Sequence, residues 1–275
     1  MMNPGTTWWS ETESPKAWMS VRDADLYEEL LHRLASLRDG EPLRVVEWGT
    51  GRSTLWYTRF LDHLGVPYQW LAIEHHREYF DSSVAPELAA RHRAVVTHAE
   101  KLAEADTGKF FGDGGILAVG YDFGELLPWV PGREKDRLAP LDDYISLPAR
   151  LGFACDLAIV DGRKRRRCVL QAADLIGRHG YVILHDAWRI HYQSAWPAFR
   201  SGRRFGDEWW IGANRATDFS DVLPWYSFLE HAEGAPLRAG GVKNAWKRAA
   251  SLTAHRVSAR IAAAKIPASR GAKAR

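Results

Sequence analysis

The chain has 275 residues, 46 % hydrophobic and 26 % charged, which suits one soluble α/β domain with additions. Two cysteines, Cys155 and Cys168, exclude a disulfide framework and a zinc cluster built on cysteines alone. The net charge of +3 is unevenly spread: Gly234 to Arg275 hold ten Lys or Arg and no acid, so the body before them is acidic.

Residues 1–22 read as an irregular leader with aromatic anchors at Trp8-Trp9. No basic segment with an apolar run behind it opens the chain, and no apolar stretch reaches the ~18 residues of a membrane span. A soluble, cytoplasmic protein is the expectation. Asp23 can cap a helix that runs to about Arg38 on the stripe Leu26, Leu30, Leu34 and Leu37, and Gly40 ends it. Strand and helix patterns then alternate. Leu43 to Glu47 is a strand, Ser53 to Leu64 a helix, Tyr68 to Glu74 a strand, Glu78 to Ala90 a helix, and Ala94 to His98 a third strand. Residues 99–150, rich in Gly, Pro and Asp, break the rhythm and read as an insertion or lid. The alternation resumes with a strand at Asp156 to Asp161, a helix from about Lys164 to Arg178, and a fifth strand at Tyr181 to His185. A final strand pair is expected within 207–223, around Trp209-Trp210-Ile211. An amphipathic helix is expected from Val242 to about Ile261.

This alternation predicts a doubly wound, mostly parallel α/β sheet of Rossmann-like type, with an insertion and a basic C-terminal helical tail. Three parts follow: a leader and cap helix at 1–40, the Rossmann-like domain at 41–233, and the tail at 234–275.

Open parallel sheets bind ligands beyond the carboxyl ends of their strands. The first strand ends at Glu47, and Gly49-Thr50-Gly51 turns at once into a helix whose N-terminus faces the same place. Glycine turns of this kind serve several nucleoside ligands. Glu47 would repel a pyrophosphate but suits a positive methionyl group, and the third glycine of the dinucleotide fingerprint is absent. Glu74, at the end of the second strand, is placed to accept hydrogen bonds from ribose hydroxyls. The Glu-x-Gly-x-Gly turn, the acid after strand two and their spacing resemble motifs I and II of class I S-adenosylmethionine-dependent methyltransferases, over about residues 40 to 215. The resemblance implies that Glu47, Gly49 and Gly51 line the methionyl part and that Glu74 holds the ribose. It also implies that Ala99, in His98-Ala99-Glu100, lies against adenine. Ser53 stands where many members have a third glycine and is carried as a loop contact.

Strands four and five end in Asp161-Gly162-Arg163 and His185-Asp186-Ala187-Trp188-Arg189. Methyl transfer to oxygen needs an oriented hydroxyl and a place for its proton. Asp161 and Asp186 could hold Mg²⁺ or another divalent cation to do this. A neutral His185 could instead act as general base. The pattern is similar to that of macrolide-sugar O-methyltransferases, which place metal-binding acids at these strand ends, although His185 stands where an acid is found there. Plant glucuronoxylan O-methyltransferases look similar too, with Val-Asp-Gly and His-Asp-x-x-Arg strand ends. These resemblances imply O-methylation of a sugar, glycan or other hydroxylated small molecule.

In the basic run Arg163 to Arg167, Arg163 is the candidate to meet an acidic acceptor, with Arg189 second. The thirteen tryptophans read as packing units, one or two of which could stack on a sugar ring. Two other classes stay open: a nicotinamide-dependent oxidoreductase on the same fold, and a non-catalytic module whose basic tail meets an anion or a membrane. A nucleic-acid methyltransferase is disfavoured, because the body is acidic and no Asn/Asp-Pro-Pro-Tyr-type motif occurs.

Overall fold

The structure, a computed structural model, describes residues 19–123 and 140–229. The leader tryptophans, Trp129 and the predicted tail helix lie outside the described residues. Helix α1 (Val21–Ser36) buries Leu26, Leu30 and Leu34, while Leu37 forms the C-cap and is exposed. Its N-cap is Ser20, whose hydroxyl accepts the Asp23 N–H. Asp23 is therefore not the cap; it lies buried in the first turn.

Next come β1 (Leu43–Trp48), α2 (Arg52–His63) and β2 (Tyr68–Glu74), close to the predicted bounds. The single helix expected over Glu78 to Ala90 is three short pieces: α3 (Arg77–Tyr79), a π turn at Phe80–Val84, and α4 (Ala85–Ala89). Pro86 lies in the first turn of α4 and supplies no N–H, so the ladder re-forms around it.

After β3 (Ala94–His98) the segment read as a lid departs from expectation. It holds a 3-10 turn at Ala99–Glu104, α5 (Thr107–Asp113), the buried strand β4 (Gly115–Gly120) and α6 (Asp142–Arg150). Strand β4 sits between β2 and β3. Its first residue, Gly115, has φ of 96°, and a Cβ there would lie 2.1 Å from the Arg93 carbonyl oxygen. Glycine is thus required where the strand begins, and it made the segment read as loop.

Strand β5 (Leu157–Val160), α7 (Arg165–Leu175) and β6 (Tyr181–Leu184) follow, then a 3-10 stretch at Ile190–Ala198. The final pair is β7 (Ser201–Phe205) with β8 (Trp209–Ala213), so the partner of the Trp209-Trp210 strand precedes it. A 3-10 turn at Trp225–Phe228 ends the described chain.

The sheet order is β3-β4-β2-β1-β5-β6-β8-β7. Strands β3 to β6 are mutually parallel, while β8 runs antiparallel to both β6 and β7. Alternate residues of each strand feed opposite cores. Leu43, Val45 and Trp70 pack with α1, α2 and Phe80, whereas Val46, Trp48 and Leu71 pack with Phe110, Tyr144 and Val169. Each fully buried Leu, Ile or Val contributes about 1.5–3 kcal/mol, so both faces hold the sheet firmly. The order reverses between β1 and β5. That crevice is where a doubly wound sheet receives a ligand. No helix among the described residues is long and apolar enough to cross a membrane.

Candidate active site

At the reversal point the turns after β1 and β5 touch through backbone. The Asp161 and Gly162 N–H groups both donate to the Trp48 carbonyl, at 2.9 and 2.6 Å. Gly49 has φ of 104°, and a Cβ on it would lie 2.5 Å from the Gly162 nitrogen. Any side chain there would clash as well as strain the backbone.

Glu47 is wholly buried in the α2-side layer rather than open to the crevice. Ser53 Oγ donates to its Oε1 at 2.8 Å; Thr54 Oγ1 and Trp70 Nε1 donate to its Oε2 at 2.6 and 2.9 Å. Thr54 Oγ1 also accepts the Gly51 N–H at 3.0 Å. Burial pushes the Glu47 carboxyl up to about 7, against those three hydrogen bonds. Glu47 and Ser53 therefore pin the first turn of α2, and Gly51, also buried, is fixed by the same network. Glu47 thus ties β1 to β2 and to the first turn of α2, and the partly exposed Ser53 hydroxyl keeps acceptor capacity beside it.

Glu74 is at the edge as expected, 4 % exposed, with Oε1 accepting the His76 N–H at 2.8 Å and 2.8 Å from His75 Nδ1. The residue beside its strand end is not Ala99. The Tyr121 N–H donates to the Glu74 carbonyl at 2.8 Å, because β4 intervenes and moves β3, with Ala99 after it, one strand outward. Arg163 is exposed, and its Nε lies 3.2 Å from His75 Nε2, so the two side chains meet above the end of β1.

The acids and imidazole of the last two parallel strands do converge, around a residue that sequence reasoning missed. Arg165 donates to the Gly162 and His185 carbonyls and to Asp186 Oδ2, and its remaining arm is 2.9 Å from Asp161 Oδ1. Its side chain is only 13 % exposed. Asp186 is closed by two further donors, Arg189 at 2.9 Å and Trp188 Nε1 at 3.1 Å. It adopts φ of 57°, unusual for a residue other than glycine. His185, 6 % exposed at the side chain, has Nδ1 2.9 Å from Asp161 and Nε2 3.2 Å from Glu208 Oε2. Burial lowers its pKa, but Asp161 and Glu208 outweigh burial and raise it to about 9. The direction of that shift favours the imidazolium over the neutral imidazole that a general base requires. Glu208, which precedes β8, is the second residue missed; the antiparallel pairing of β6 and β8 brings it there. A signal for Arg165 existed: it follows Asp161 by four residues, at the start of a helix without acids in its first turn.

His185, Asp186 and Glu208 also lie close enough together to hold a cation. The guanidinium of Arg165 already stands between Asp161 and Asp186, and Asp186 is held by the donors Arg165, Arg189 and Trp188. A divalent ion would have to displace that arginine and take the place of the proton on His185. The donor set does not fit a resident metal.

Neither a family model nor a curated protein matches the chain. Among solved structures it is similar to a methyltransferase-like protein from Silicibacter pomeroyi, at 17 % identity over 76 % of this chain and 98 % of that one, with a TM-score of 0.38. It is also similar to cofactor-bound Rv0187 from MTB, at 16 % identity over 74 % and 85 %, TM-score 0.39. A third likeness is to spermidine synthase from Thermotoga maritima, at 13 % identity over 76 % and 67 %, TM-score 0.34. By its own strand order, reversal point and glycine turn, this chain has a doubly wound, Rossmann-like α/β fold.

Proposed function

We propose that the chain is an S-adenosylmethionine-dependent methyltransferase acting on a hydroxyl of a sugar, glycan or similar small molecule. The observation that carries this reading is the meeting, at one reversal point, of a glycine turn flanked by Glu74 with the half-exposed carboxylate of Asp161. When bound, S-adenosylmethionine supplies an electrophilic methyl group. Glu74 would accept hydrogen bonds from the ribose hydroxyls, and Gly49 and Gly51 would admit the methionyl part against backbone. Asp161, 32 % exposed, is the member of the acid cluster most open to solvent and so the one an acceptor hydroxyl can reach. It would orient that hydroxyl and receive its proton. His185⁺ and Arg165⁺ are positioning residues that hold the Asp161 carboxylate in place. Arg163, at the rim, would meet an acidic group on the acceptor, while Arg189 is spent on Asp186. No step is assigned to a divalent metal. On this reading the enzyme works in the cytoplasm, in keeping with two buried, reduced cysteines.

The test is calorimetric titration and thermal shift with S-adenosylhomocysteine and with NAD. Saturable binding of S-adenosylhomocysteine, weakened at least about tenfold in Glu74→Ala, is expected; a hydrogen bond to a charged group contributes about 1.5–3 kcal/mol. Stabilisation by NAD with none by S-adenosylhomocysteine would sink the proposal in favour of an oxidoreductase.

A further inference from the structure

At the outer edge of the sheet the molecule exposes apolar side chains that nothing in the proposed chemistry uses. Trp225 is 74 % exposed, Tyr226 50 % and Leu229 53 %, on and just after the last 3-10 turn; Val21, the first residue of α1, is 77 % exposed. They share one corner. The Arg22 guanidinium donates to the carbonyls of Tyr226 and Leu229, tying the start of α1 to that turn. The turn rests on edge strand β7, where the Arg203 guanidinium lies 4.3 Å from the Phe228 ring centroid. Arg203 and Arg204 are both exposed. Asp207, the acid that touches this corner, is already bound by Arg22 and Ser20.

Exposed aromatic and aliphatic side chains grouped at one corner mark a surface that is covered in use. Here the cover must be both apolar and anionic. Arg22 and Arg203 touch the turn that carries the aromatic pair, and the sequence past Leu229 carries ten Lys or Arg against two acids, Glu230 and Glu233. Trp and Tyr favour the zone between water and acyl chain, where ring and polar tip are both satisfied. A few inserted side chains bind a bilayer weakly on their own, and basic residues supply the second attraction, of about 1 kcal/mol each near an anionic surface. A nucleic acid would account for the cations but not for Val21 and Leu229. A second copy would set like charge against like.

We propose that this corner docks the protein on an anionic bilayer surface, with Trp225 and Leu229 entering the headgroup boundary and the arginines facing the lipid phosphates. The inference is independent of the reaction catalysed.

The test is flotation of the full chain with vesicles of equimolar phosphatidylcholine and phosphatidylglycerol, against vesicles of phosphatidylcholine alone. Binding to the anionic vesicles only, weakened by raised salt, is expected. Trp225→Ser with Leu229→Ser should lower the affinity by about tenfold or more, the loss expected when two large side chains no longer leave water. Trp225→Phe should retain it. Both positions are exposed, and an unchanged thermal melt confirms that the variants fold. Failure to bind, equal binding to neutral vesicles, or unchanged affinity in the double variant would overturn the proposal. Tighter binding to a double-stranded RNA oligomer than to the anionic vesicles would do the same.

Discussion

Burial alone would strip the proton from His185. Asp161 on one side and Glu208 on the other restore it and hold the folded pKa at about 9, against 6.5 when unfolded. The folded state therefore binds this proton more tightly, so the contribution to stability is complete below about pH 6.5 and is lost as pH rises through 9. It amounts to on the order of 3 kcal/mol. His185→Gln is expected to destabilise the protein by that order at pH 6 and by much less at pH 10, in urea melts at the two pH values. Arg165 completes the same cluster. Arg165→Met would leave Asp161 and Asp186 as uncompensated, partly buried charges, at a cost of about 3–5 kcal/mol. Millimolar Mg²⁺ should not shift the melting of the wild type and should stabilise Arg165→Met, in which the cation between the two carboxylates is gone. Mg²⁺-dependent stabilisation of the wild type would contradict the fit drawn for this cluster.

Among the elements, β1, its glycine turn and α2 were legible because each carries a local signal: a short apolar run, two glycines and an amphipathic stripe. Gly49 shows why that turn tolerates little else. Gly49→Ala combines a left-handed φ with a Cβ driven to 2.5 Å from Gly162, and is expected to cost about 3 kcal/mol or more. It should also abolish the thermal shift produced by S-adenosylhomocysteine; a full shift in a folded variant would mean that the ligand does not lie over this turn. Strand β4 was not legible. Its six residues begin and end with glycine, and its apolar centre is too short to separate from loop by periodicity. With β4 between them, Tyr121 rather than the end of β3 stands beside Glu74. The candidate site divides along the same line. The strand-end residues Glu74, Asp161, His185 and Asp186 could be named from the chain order of the strands. Their protonation and pairing could not, because Arg165 and Glu208 enter through a helix start and an antiparallel return that no local pattern announces.

At the scale of the whole molecule, the first helix is locked to the β7–β8 turn far along the chain. Ser20 Oγ donates to Asp207 Oδ2 at 2.6 Å, Arg22 pairs with Asp207 at 3.1 Å, and Asp23 Oδ1 accepts the Asp207 N–H at 2.6 Å. Tyr27 stacks on Trp209 at 5.6 Å. This clasp sets Glu208, and through it His185, so α1 is part of the site's support rather than a detached cap. Its weak point is Asp23, fully buried, whose Oδ2 has no hydrogen-bond partner among the described residues. Burial first, and then the acids Asp207 and Glu208, raise its carboxyl to about 6 from 3.8, although the Asp207 N–H and His185 pull it down. The folded state thus holds this proton more tightly than the unfolded chain does. Stability attributable to the group falls as pH rises from about 3.8 through 6, and the ionised form costs on the order of 3 kcal/mol above that. Asp23→Asn keeps the oxygen that accepts the Asp207 N–H and removes the charge. It should raise the unfolding free energy at pH 8 by roughly that amount and leave it nearly unchanged at pH 4. A variant less stable than the wild type at pH 8 would show instead that the Asp23 charge sustains the His185 imidazolium, and that the clasp and the acid cluster act as one electrostatic unit.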